Sequence, residues 1–476
     1  MSGGLNQAVE ALKSRASETA VSKALQDIIA SKQVPATQRK ETVAAIGAIL
    51  STGIRNASGG LDKVKSASVV VASLKVLAII SRESAQEMPH LGNNFFETIP
   101  FRPESTVCVA ALSLYITTRE CWQGSYEVFS WLQAPEARRM VLKTFEEAAE
   151  KPYNDGLMES ARALELLGAD IAVDSTIKSF PLYRLGKKFL ELDVVKKKPE
   201  NRRLVCNALA NFAVPWLVNA TVNSEEEMAL AKRVLEYVKE DTSKDAQNIK
   251  SMAPEFRLLA NMCYKSRRAA RALRDCDAHS AAIKALGAQD QSVIEAAASL
   301  LSNMARKQIK LHQSLLEKQL VPALKSALTR VPNDSDPVVA ILSCALNLTS
   351  SNAGRKALYG LEPLICRDIL PSRPDIAELA LGVLWGVCTR ENAQQEDSAK
   401  DWFEAVFRTL EKHSTHVGCV SRGIGAIGKL LNSNEDAKQL FKASLARLEA
   451  IKIKEKHKGN IGVIHAMDTL PVDLRT

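Results

Sequence analysis

The chain has no long apolar run, few aromatics, few histidines and no paired cysteines, and each shortage excludes a class of function. No window approaches the ~18 uninterrupted apolar residues of a membrane-spanning helix, and the strongest stretch, 69–80, is broken by Ser73 and Lys75. Phe, Trp and Tyr make up 5% of the 476 residues, and β-branched alternation bounded by turns is missing, so strands are not expected. Seven histidines are dispersed; His413 and His416 stand three apart, but no cysteine or carboxylate completes a tetrahedral metal set. Nine cysteines, an odd number without a CxxC pair, read as free thiols of a reducing compartment. The first residues, MSGGLNQAVEALKSRASE, lack a basic-then-apolar leader, and Glu10 and Glu18 disfavour a transit peptide. A cytoplasmic protein is expected, cytoskeleton-associated or nuclear being the alternatives.

What remains is an ordinary globular balance, 46% hydrophobic and 25% charged, with a net charge of +9. The excess is clustered. Lys265, Arg267, Arg268 and Arg271 form one basic patch with Arg306 and Lys307, and another runs from Lys187 to Arg203. Acidic partners are favoured by such a field, although basic residues near helix C-termini are also a common solvated arrangement.

The informative feature is a phrase that returns about every forty residues. CNALANFA, RLLANMCY, SLLSNMAR and CALNLTSS carry Asn211, Asn261, Asn303 and Asn347, spaced by 50, 42 and 44 residues. Weaker copies put Gly386 and Lys429 in phase downstream, and Glu165, Ser113, Ala78 and Ala48 upstream. A period of this length with helical patterning inside each unit predicts an α-solenoid of about nine repeats. Pro103, Pro199, Pro254, Pro337 and Pro374 precede the in-phase residues by 7 to 12 positions, where proline suits a first helical turn. Asp336 is the expected cap before Pro337. Val338, Ile341, Leu342, Ala345 and Thr349 then follow one buried helical face, which Val339 and Leu346 widen.

Residues 1–195 show the period loosely and 196–450 clearly, while 451–476 lose helical periodicity and read as a partly extended or disordered tail. Irregular insertions are expected at 93–102, 192–200 and 330–336. An amphipathic first helix over 5–30 is expected to cap the stack, because solenoid ends need a polar outer face.

Through LLAN, LLSN, ALNL and LWGV the chain resembles the armadillo family. The resemblance implies a right-handed stack of three-helix units whose third helices line a concave groove. In that family the third-helix asparagine bonds the main chain of an extended ligand, a role that falls here on Asn211, Asn261, Asn303 and Asn347. An amide offers both a donor and an acceptor. The other reading is that these amides bond a neighbouring helix. Residues four before them are Asn207, Arg257, Ser299 and Ser343, so the tryptophan array of importin-α is absent, and positive charge near the asparagines is closer to the β-catenin type, which grips acidic segments. Trp385, one before Gly386, is a groove anchor or core.

The function expected is a non-enzymatic scaffold holding an extended, acidic segment of a protein partner, without cofactor, as a monomer outside any larger assembly. Nucleic-acid binding through the basic clusters is the alternative, disfavoured by the scarcity of stacking aromatics; a UCS-like chaperone cofactor is another. Gly423, Gly425 and Gly428 satisfy GxGxxG, but no strand precedes them and Leu430 stands where a phosphate loop needs Ser or Thr.

Overall fold

A computed structural model describes residues 2–15, 17–52, 54–55, 61–62, 67–83, 106–121, 135–150, 157–168, 181–217, 224–244, 252–307, 309–370, 372–388, 396–433 and 456–470, with 439 and 441. The fold is an all-α solenoid. The one strand pair among the described residues is a two-residue antiparallel ladder, Ile54–Arg55 with Leu61–Asp62. The segment 93–102 lies outside the described residues. No described helix is long and apolar enough to cross a membrane.

Contacts divide the chain into Met1–Glu226 and Glu227–Thr476. In the first unit the helices are α1 (Ser2–Ser14), α2 (Glu18–Ser31), α3 (Arg39–Thr52), α4 (Ala67–Glu83), α5 (Thr106–Cys121), α6 (Pro135–Glu150), α7 (Leu157–Gly168), α8 (Leu182–Glu191), α9 (Asp193–Lys196) and α10 (Pro199–Leu217). Helices α3, α4, α5, α7 and α10 pack one on the next. They carry the in-phase residues Ala48, Ala78, Ser113, Glu165 and Asn211 in that order. The continuous first helix expected over 5–30 is instead two. Arg15 takes a left-handed φ of 48°, and Ser17 caps α2 by accepting from the Ala20 N–H at 3.2 Å. Ser17 satisfies one of the N–H groups that the second helix leaves open at its start. The irregular stretch expected at 192–200 likewise contains the short α9 and the first turn of α10.

In the second unit, α11 (Ser224–Lys244) begins at the boundary. Three-helix repeats then follow: α12 (Ala253–Lys265); α13 (Arg267–Asp275), α14 (Ala278–Ala285) and α15 (Gln291–Lys307); α16 (Ile309–Glu317), α17 (Leu320–Leu328) and α18 (Asp336–Leu348); α19 (Asn352–Leu358), α20 (Glu362–Leu364, running into a π-helical turn Ile365–Ile369) and α21 (Pro374–Val387). A pair, α22 (Glu396–Lys412) and α23 (Val417–Ser433), and then α24 (Ile461–Asp468) complete it. The inner helices α12, α15, α18, α21, α23 and α24 pack in sequence.

Each three-helix repeat turns between its first two helices on a residue of positive φ. Asp277 (58°), Gln319 (63°) and Gly360 (102°) occupy that turn, 42 and 41 residues apart. Ser266 and Ser351 start the first helices α13 and α19 by accepting from Ala269 and Gly354 N–H at 3.0 and 3.1 Å. On α18, Val338, Ile341, Leu342 and Ala345 are fully buried. Val339 and Leu346 do not extend that face; they are half-buried and line a hollow shared with neighbouring inner helices. Asp336 is the first residue of α18, behind Ser335, and spends its carboxylate on Arg373 at 2.6 Å instead of capping.

The tail from 451 is not wholly irregular. Asn460 accepts from the Gly462 and Val463 N–H groups at 3.1 and 3.2 Å, and α24 packs on α23 with Val463 and Ala466 buried. Its periodicity is too short to register in sequence, and tertiary packing sustains it.

Candidate functional site

At four of the in-phase positions the side chain ties its inner helix to the one before it. Asn303 Nδ2 donates to the Ala260 carbonyl at 2.9 Å. Asn347 Nδ2 donates to the Ser302 carbonyl and hydroxyl at 3.0 and 2.9 Å. Lys429 Nζ reaches the Trp385 carbonyl at 3.1 Å. In the other unit Asn211 Nδ2 meets the Glu165 carbonyl at 3.3 Å. The acceptor always belongs to the preceding in-phase residue or to the residue just before it, so the rung recurs as the repeat does. A carbonyl can only accept, which fixes the orientation of each amide. The amide oxygens of Asn303 and Asn347 make no hydrogen bond among the described residues. Donation to a neighbouring helix and an unbonded oxygen are therefore properties of the same side chain.

Asn261, Asn303 and Asn347 line one hollow of about 750 Å³ across α12, α15 and α18. Successive helical turns complete its wall: Arg257, Asn261 and Tyr264 from α12; Glu295, Ser299, Asn303 and Arg306 from α15; Val339, Ser343 and Asn347 from α18. Such stripes, stepping by three or four residues, share one helix face. Tyr264 is 47% exposed, and the Arg306 guanidinium lies 5.5 Å from its ring centroid. At the end where the inner helices begin, Arg373 bridges Asp336 at 2.6 Å and Asp375 at 2.9 Å. These hydrogen-bonded carboxylates, Asp336 first, raise the Arg373 pKa above its ordinary value. Three arginines and three carboxylates line the hollow, so its charges balance in number.

The remaining sequence candidates are placed elsewhere. Arg267, Arg268 and Arg271 are exposed on α13, outside the hollow, and Arg268 lies electrostatically near Glu227. The side chains of Lys265 and Lys307 lie outside what is described. Trp385 is half-buried on α21 against Gly425 of α23, where a Cβ would come within 3.1 Å of its ring. The GxGxxG glycines are all inside α23: Gly423 faces Leu410, Gly425 faces Trp385 and Gly428 faces Thr469. They permit close helix approach.

Tyr264 and Glu295 were not singled out in the sequence. The usable signal was helical: positions eight before and three after each asparagine share its face. Cys263 and Cys344 are fully buried, and burial pushes both thiols up, Cys344 to about 12. No group of three potential metal ligands occurs among the described residues.

No protein-family model and no curated protein matches the chain. Solved structures do. A crystal structure of an engineered protein superposes with a TM-score of 0.64 at 18% identity, covering 90% of this chain and all of that one. A chain from work on a phosphorylation switch in the interaction between cadherin and beta-catenin superposes with a TM-score of 0.61 at 14% identity, covering 97% of this chain and 92% of that one. At such identities the likeness is one of fold, and the chain is an all-α solenoid.

Proposed function

We propose that the chain is a non-enzymatic protein-interaction scaffold that holds an extended, acidic segment of a partner protein along α12, α15 and α18. The observation that carries this reading is the hollow in which Asn261, Asn303 and Asn347 stand in a row. Asn303 and Asn347 commit their N–H groups to the fold and keep their oxygens for an incoming main-chain N–H. Such bonds hold a backbone without reading its side chains. Arg306, on its Tyr264 platform, supplies the attraction for an acidic residue. The superposition on a chain from the cadherin–beta-catenin study agrees with a partner-holding surface, and a cytoplasmic setting suits the free thiols.

The test is site-specific photo-crosslinking in the native cell. A crosslinker replaces Ser299, inside the hollow, or Arg271, on the exposed basic helix. A defined partner peptide captured from Ser299, and not from Arg271, supports the groove. Capture of nucleic acid or protein from Arg271 alone moves the function to the basic patch.

A further inference from the structure

The charges of the hollow are balanced in number but not in place. Glu295, Asp336 and Asp375 stand toward the N-terminal ends of the inner helices, with Arg373 bridging the two aspartates. Arg306 stands toward the C-terminal end of α15, eleven residues from Glu295, or about 16 Å along the axis. Neither Glu295 nor Arg306 makes an ion pair among the described residues; the Tyr264 ring is what Arg306 touches. Arg257, lying between the two edges on α12, is engaged in an interaction of its own. Asn303 and the serines occupy the middle. The cross-section of the hollow therefore runs from an acidic edge, through amides and hydroxyls among which only the already engaged Arg257 is charged, to a basic edge.

A segment that touches Asn261, Asn303 and Asn347 in turn must run across the three helices. Neighbouring helices pack about 8–10 Å apart, so the crossing takes roughly six extended residues at about 3.3 Å each. Successive side chains of an extended segment point to opposite sides. One set faces Arg306, and the alternate set faces Glu295.

From this we infer that the hollow selects an extended peptide in which an acidic residue and a basic residue stand at odd spacing, the acid meeting Arg306 and the base meeting Glu295. This rests on the groove reading above and narrows it from an acidic segment to a charge-alternating one. A pair at even spacing sends both charges to one edge, where one of them meets its like charge.

The probe is a displayed library of random twelve-residue peptides selected on the purified full-length protein. An enriched peptide is then titrated against its isomer with the two charges moved to even spacing. Acid–base pairs at odd spacing are expected to be enriched, and the isomer to bind several-fold more weakly, as exposed ion pairs allow about two- to fivefold each. Arg306→Glu is expected to abolish the acidic preference and Glu295→Lys the basic one, with melting little changed because Arg306 is exposed and Glu295 is only half-buried and makes no ion pair among the described residues; Arg306→Gln and Glu295→Gln serve as milder variants. Enrichment of acidic residues alone, indifferent to Glu295→Lys, overturns the inference and leaves the groove reading standing. No enrichment above the unselected library overturns both.

Discussion

At the scale of single residues the asparagine rung has a double duty, and its two halves separate by substitution. Asn303→Ala removes a hydrogen bond that ties α15 to α12 and leaves the Ala260 carbonyl without that donor. A loss of about 1 kcal/mol is expected, measured as a lower denaturant midpoint. Asn303→Asp keeps the shape but turns a carboxylate oxygen toward that carbonyl, so it is expected to cost more than the alanine. Equal stability of the two variants would show that the rung is not a donor contact. Glycine acts by absence at a second rung. A Cβ on Gly425 would crowd the Trp385 ring at 3.1 Å, so Gly425→Val is expected to separate α23 from α21 and lower stability by about 1–3 kcal/mol.

Elements are joined by turns and by buried titratable groups, and both make predictions. Gln319 holds φ at 63° in a turn where the neighbouring repeats use Asp277 and Gly360. Gln319→Gly removes the left-handed penalty, while Gln319→Val adds β-branching to it. The valine variant is expected to be less stable than the glycine variant by roughly 1–2 kcal/mol.

On α11, Glu227 is buried beside Ser266, whose hydroxyl donates to it at 2.9 Å. Burial pushes this carboxyl up to about 7. A carboxyl whose folded pKa lies above its unfolded value keeps more protons in the folded state, so stability falls as pH rises between about 4.5 and 7. Glu227→Gln is expected to flatten that slope and to raise stability at pH 8, on the order of 2 kcal/mol. Burial lowers His279 and His413 instead. Their contribution has the opposite sign, being lost as pH falls through the unfolded histidine value. Melting of Glu227→Gln between pH 5 and 8 removes the Glu227 part of the slope and leaves that of the histidines and of Glu362, whose carboxyl burial also raises.

For the molecule as a whole, stability comes from neighbour-on-neighbour packing, so removing one helix uncovers the apolar face of the next. In Met1–Glu226, α1 buries Val9 and Leu12 against α2 and α3. Deleting residues 1–15 uncovers that apolar face. An increase in apolar-dye binding and loss of solubility are expected, and a soluble, dye-silent truncation would remove the capping role from α1. In Glu227–Thr476, α24 is tied to α23 by Asn432 Nδ2 to the Thr469 carbonyl at 3.1 Å and Ser421 Oγ to the Gly462 carbonyl at 3.1 Å.

Period and helical phase were legible without coordinates. Asn211, Asn261, Asn303 and Asn347, with their weaker partners from Ala48 to Lys429, fall on the packed inner helices in order, because a repeat that buries its faces against its neighbours must write the same pattern each time. Three things were decided only by tertiary contact. The left-handed turn at Gln319 and the break at Arg15 have no glycine to announce them, since local backbone strain is tolerated when packing over-determines it. Helix α24 is too short to signal itself and forms against α23. The hollow draws its wall from α12, α15, α18 and the start of α21, spread over residues 257–375, and no single stretch shows that Tyr264 faces it together with Glu295 and Arg306. Periodicity assigns a face within one helix; which charges of neighbouring repeats meet across a groove depends on how the helices stack.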